Sequence, residues 1–188
     1  MILLLFAAIG LLVGLASGGT LRGAAHYPVK GLLLPVFALA VKGSAAQLLQ
    51  PQTGAVLVCL IQYALLFVFL LWNHKRPVWP LFVFFGTLFN MLVIVVNGGC
   101  MPVAASLLGN AADRLTQLAA GEIYAYSLMD ASTKLAFLGD MIRVGPAGLP
   151  IGFASAGDIL LGIGVAILAF SMARAGKRNP IQQEIERK

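Results

Sequence analysis

The side chains able to do chemistry are few, and they sit at the margins of long apolar runs. Asp158 follows Ser155-Ala156-Gly157 at the head of the last apolar run. Asp140 closes Leu138-Gly139-Asp140, and Asn97 opens Asn97-Gly98-Gly99-Cys100-Met101-Pro102-Val103. Two carboxylates and an amide that meet in space could bind a cation or a polar headgroup at a membrane boundary. Each also has a structural reading. Asp158 completes a capping box with Ser155 and suits the positive end of a helix dipole. Asp140 caps a loop or pairs with Arg143 or Arg114. Asn97 ends a helix, with the glycine pair permitting a sharp reversal and Pro102 suiting the start of a following helix. Lys42 is the only charged residue inside an otherwise apolar span, with Ser44 and Gln47 on neighbouring turns. A lysine at that depth either pairs with a buried or neighbouring group or snorkels to the interface.

Other chemistries find little support. His26 and His74 lie beside basic residues in connecting segments, where an interfacial role outweighs ligation of haem or a chlorophyll. Cys59 and Cys100 form no Cys-x-x-Cys and read as free thiols. No zinc-protease pattern, Ser-His-Asp spacing, phosphate loop or nucleotide fingerprint occurs. No catalytic residue, metal ligand or cofactor is therefore assigned; contact with lipid, quinone or pigment has no support in the residues.

The elements that must position these groups follow from composition. Of 188 residues, 60% are hydrophobic and 11% charged, more apolar surface than a soluble fold of one domain can hide. The expectation is an all-α membrane protein, a single domain over 1–188. Apolar runs near the length of a bilayer crossing predict five transmembrane helices, at about 2–19, 31–49, 54–72, 79–96 and 158–173. No basic residue precedes the first run while Arg22 and Lys30 follow it, which favours an uncleaved helix over a signal peptide.

Charge bias sets the orientation. With the N-terminus outside, Arg22, Lys30, Lys75, Arg76, Arg174, Lys177, Arg178, Arg187 and Lys188 fall in the cytoplasm, nine of the thirteen basic residues. Arg114, Lys134 and Arg143 fall outside, in the segment 97–157. The tail 174–188 is cytoplasmic. Trp72 and Trp79 bracket the basic turn as interfacial anchors. The net charge of +6 is thus topological, and no basic face with interleaved aromatics points to nucleic acid.

Within the external segment, Leu107, Leu108, Ala111, Leu115 and Leu118 recur at helical spacing over 103–120, and a second amphipathic stretch covers 132–142. Both are expected as surface helices. Gly145-Pro146-Ala147-Gly148-Leu149-Pro150 breaks the chain before the last helix.

In its opening Met-Ile-Leu-Leu-Leu helix, the Asn-Gly-Gly-x-Met-Pro-Val string, Leu-Gly-Asp and Ser-x-Gly-Asp, taken in that order, the chain resembles a family of small bacterial multi-pass membrane proteins of unknown function. The resemblance implies fold and placement in the cell (inner) membrane and brings no activity with it. The leading expectation is a non-enzymatic accessory or scaffold subunit that packs against other membrane subunits in the bilayer. Gly10, Gly14, Gly162 and Gly164 would allow close helix contacts. A small transporter or channel-like protein using Lys42 or Asn97, Asp140 and Asp158 is the alternative. A lipid- or quinone-interacting membrane enzyme is the second.

Overall fold

A long apolar stretch satisfies its backbone most simply as a helix, because each N–H then finds a carbonyl within the same segment. The computed structural model describes residues 2–50, 52–107, 112–145 and 152–175. They are mostly helical: α1 (Ile2–Ala16), α2 (Leu21–His26), α3 (Leu33–Leu48), α4 (Ala55–Asn73), α5 (Trp79–Val96), α6 (Ala112–Ala119) and α7 (Ala156–Arg174). Helices α4, α5 and α7 are long and apolar enough to cross a membrane; α1 and α3 are apolar but shorter. At 15 and 16 residues these two reach about 22 and 24 Å, short of a hydrocarbon core of about 30 Å. Local chemistry ends them early. Ser17 Oγ donates back to the Val13 carbonyl and Gly18 turns at positive φ, while α3 starts only after the positive-φ Gly31.

The helices pack in the order α1–α7–α5–α4–α3, and α2 also lies against α7. Small residues let α7 sit between two neighbours. Gly10 and Gly14 of α1 are buried against Ala166, Phe170 and Ala173, and Gly162 takes the Phe6 ring. On the other side Gly86 meets the Gly157 carbonyl, and Gly164 meets Val83. A Cβ at any of these positions would enter atoms of the facing helix. The expected use of these glycines is therefore what the packing displays.

One end of the helices carries the basic residues. The Thr20 N–H donates to the Ala173 carbonyl, and Arg174 Nη1 donates to that of Ser17. Asn73, 2% exposed, donates to the Lys30 and Phe69 carbonyls and accepts from the Lys30 N–H. Arg76 donates to the Pro28 carbonyl and lies over the Tyr27 ring. Trp79 departs from its expected interfacial role. It is fully buried among Phe69, Leu70, Val83, Val29 and Leu34, whereas Trp72 is exposed. The difference arises because α5 begins inside the packing of α3 and α4 rather than at its edge.

The opposite end is covered by a cap containing four short strands, where surface helices were expected. β1 (Met101–Val103) pairs in parallel with β2 (Tyr126–Leu128), and β3 (Ile142–Val144) pairs antiparallel with β4 (Gly152–Ala154). The helix expected over 103–120 is reduced to a 3₁₀ turn at Ala105–Leu107 and to α6. Leu108 and Ala111 lie outside the described residues. β1 is buried at all three positions, so it shows no alternation and its sequence gives no strand period. Across 132–142 there is a 3₁₀ turn at Ala136–Leu138 and then β3, not a helix; Leu135 in the left-handed region and the extended Gly139 bound the turn. The glycine–proline break at 146–150 and most of the tail, 176–188, also lie outside the described residues.

Replacing Gly10 by Leu is expected to lower stability by about 1–3 kcal/mol, the usual range for overpacking. Gly43→Leu, at a helical glycine with open space around it, is expected to leave stability nearly unchanged. Thermal unfolding of the two variants in detergent checks the pair.

Candidate functional site

The cap end of α5 and α7 gathers a cluster of buried polar residues, Asn90, Asp140 and Ser155. α7 starts with the expected capping box: Ser155 Oγ accepts from the Asp158 N–H, and Asp158 Oδ2 accepts from the Ser155 N–H. A third member comes from α5. Asn90, 3% exposed, donates from Nδ2 to Asp158 Oδ1 at 2.8 Å and accepts at Oδ1 from Ser155 Oγ at 2.8 Å. Gly157 leaves the room that Asn90 occupies. The three side chains close a ring of hydrogen bonds in which each polar group of Asn90 and Asp158 that faces the interface has a partner. In surroundings of low dielectric such a network is strong when complete and costly when broken.

Asp140 arrives from the cap. Its N–H donates to the Pro102 carbonyl at 2.8 Å and its carbonyl accepts from the Ala104 N–H at 3.0 Å, so both backbone groups are tied to β1 and its end. The side chain is 5% exposed and its Oδ1 has no hydrogen-bond partner. Among the described residues, the other buried side-chain nitrogen and oxygen atoms without a partner are Trp79 Nε1 and Thr87 Oγ1. Asp140 is therefore the ionisable one. Burial pushes its carboxyl up to about 7, the nearby Asp158 adds to the rise, and Lys42 opposes it.

Lys42, half-buried on α3, places its ammonium 5.2 Å from the centre of the Tyr126 ring. Cys59, Tyr63, Gln62 and Tyr124 line a small cleft beside it. Cys100 donates its thiol to Gln52 Oε1, and Gln52 Nε2 donates to the Tyr126 carbonyl, which staples the cap to the turn between α3 and α4. Burial raises the Cys100 thiol above its ordinary range.

Of the three residues expected to form a polar site, Asp140 and Asp158 come within electrostatic reach of each other. Asn97 is engaged elsewhere. It donates to the Val93 and Lys134 carbonyls and accepts from the Lys134 N–H, holding the loop that carries Asp130 to Lys134. No hydrogen bond joins any two of the three. Asn90 was not among the expected residues, though an amide two turns from the end of an apolar run was the signal that could have found it. His26 and His74 lie at the basic end, where their Nδ1 atoms donate to the Arg22 and Leu71 carbonyls.

A mostly helical chain, with three helices able to cross a membrane, two shorter apolar ones and a polar knot at one end, defines a helical protein of the membrane class. The chain belongs to a family of unknown function, DUF5317, whose model matches residues 28–170. That match takes in Asn97–Val103, Asp140 and Ser155–Asp158 but not α1. Neither the curated proteins nor the solved structures contain a match.

Asn90→Ala is expected to destabilise the chain by about 1–3 kcal/mol, since Asp158 Oδ1 loses its donor and the Ser155 hydroxyl its acceptor. Asn97→Ala, which removes bonds of an exposed loop, is expected to cost less. Chemical unfolding of both variants in the same detergent decides the order.

Proposed function

We propose that this chain is a non-enzymatic accessory or scaffold subunit of a larger complex in the bacterial inner membrane. It crosses five times, with the cap and N-terminus outside and the C-terminus in the cytoplasm. The outer face of α3 carries this reading. Helix α3 stands at one end of the helix row, and Ala40, Gly43, Ser44 and Gln47 are exposed along it at near-helical spacing. Lipid tails gain nothing from small and polar residues, whereas a neighbouring helix gains close backbone approach and hydrogen bonds. The exposed positions of α1 are mostly large and aliphatic, Leu4, Leu5, Ile9, Leu12 and Val13, with Ala8 and Ala16 small, whereas α3 carries its small and polar stretch beyond the exposed Leu33, Val36 and Phe37.

The orientation is supported by charge. Arg22, Lys30, Lys75, Arg76 and Arg174 gather at the end of the helices remote from the cap, and cytoplasmic ends carry such residues. The shortness of α1 and α3 is met by local thinning of the bilayer and by flanking residues. A small transporter is the second reading, favoured by the unpartnered carboxyl of Asp140 near Asp158 and Lys42.

Photo-crosslinkers placed at Gly43 and Leu12 in native membranes test the subunit reading. Expected are discrete protein adducts from Gly43 and lipid adducts from Leu12. Lipid adducts alone from Gly43, together with a lone monomer after gentle solubilisation, would contradict it and leave the transporter reading in front.

A further inference from the structure

The Asp140 carboxyl is enclosed in a way that the hydrogen-bond ring beside it is not. Asp158 accepts two hydrogen bonds, from Asn90 and Ser155, while Oδ1 of Asp140 accepts none. The backbone on both sides of that carboxyl is pinned to β1, through Pro102 and Ala104. Met129 and the Pro102 carbonyl fill the space beside Gly139, so the chain cannot shift that way to relieve the side chain. Oδ1 of an ionised Asp140 gains a water or another donor only if the pairing with β1 gives way or if the cap moves off the helices. A proton on the carboxyl removes that demand.

The ionisable groups around it come from α3, α4 and α7 and from the cap, while α5 has none. Asp158 faces it from α7 and Lys42 from α3, with the Lys42 ammonium held over Tyr126 of β2. Tyr63 of α4 is buried in the cluster that Met101 and Leu138 of the cap close. Arg143, on β3, is turned away and donates to the Leu107 carbonyl. One like charge on α7 and one ring-bound cation on α3 thus act in opposite senses on a carboxyl whose Oδ1 has no donor.

We propose that Asp140 is a proton-binding site that controls the seating of the cap, β1 and β2 with the segments joined to them, on α4, α5 and α7. With the proton bound the cap is seated; without it the carboxylate draws the cap toward water. The seated carboxyl titrates at about 7 and the ordinary one at 3.8, so the seated form holds more protons between those values. Cap stability therefore falls as pH rises across that interval and levels off above it. The site holds whether or not α3 docks a neighbour.

Infrared difference titration of the full chain in lipid nanodiscs tests this. The expected result is a carboxylic-acid carbonyl band that disappears with a midpoint near 7 and is missing in Asp140→Asn. Lys42→Gln should raise the midpoint and Asp158→Asn should lower it, so the titration stays decisive if Asp140→Asn fails to fold. Seating is read from maleimide labelling of Cys100 in a Cys59→Ala background. At about pH 8, the chain with Asp140 is expected to label at least about tenfold faster than Asp140→Asn, a factor that corresponds to one pH unit of linkage. A band that survives in Asp140→Asn, a midpoint in the ordinary carboxylate range, charge variants that leave the midpoint unmoved, or equal labelling of Cys100 would each overturn the proposal.

Discussion

The contact between α5 and α7 is the constraint on which the rest of the molecule depends. Gly86, Gly157 and Gly164 bring the two backbones together, and Asn90 then reaches the capping box of Ser155 and Asp158. Either feature alone would be weak. Glycines without the amide would leave a sliding contact, and the amide without the glycines could not approach. Together they set the axial position of α7, and α7 in turn positions α1 through Gly10, Gly14 and Gly162.

The two ends of the helices solve different problems. At the basic end, the neutral Asn73 side chain ties the connecting segment at Lys30 to the end of α4 by two hydrogen bonds, with a third to the Phe69 carbonyl of its own helix, and the charged side chains remain near the surface. At the cap end, ionisable groups are drawn inward. β1 lies between β2, whose Tyr126 carbonyl takes the staple from Gln52, and the segment that holds the buried Asp140. Of the buried side-chain nitrogen and oxygen atoms without a partner among the described residues, the ionisable one, Asp140 Oδ1, lies at the cap end, while Trp79 Nε1 lies at the basic end.

The helices were legible in the sequence because apolar runs of that length have few other outcomes. So was the capping box, since Ser155 and Asp158 are local in the chain and its geometry needs no distant partner. The cap was not legible. β1 is three residues long, buried throughout, and paired with residues 25 positions away, so neither period nor neighbouring sequence announces it. Trp79 was misplaced for a similar reason: indole chemistry suits the interface, and only tertiary packing reveals that α3 and α4 enclose this one. Asp140 and Asp158 were singled out by type and position, and Asn97 was grouped with them because charge bias puts all three on the same side; Asn90, which completes the ring with Ser155 and Asp158, lies about two turns before Asn97 inside α5.

The account rests on the cap and the basic turns facing opposite sides of a membrane, and site-directed labelling of intact cells measures that most directly. With Cys59 and Cys100 replaced, single cysteines at Ser132 in the cap and at Lys75 in the basic turn are exposed to a membrane-impermeant maleimide. The expected result is labelling at residue 132 in intact cells and at residue 75 only after lysis. Labelling of both before lysis, or of residue 75 alone, would contradict the account.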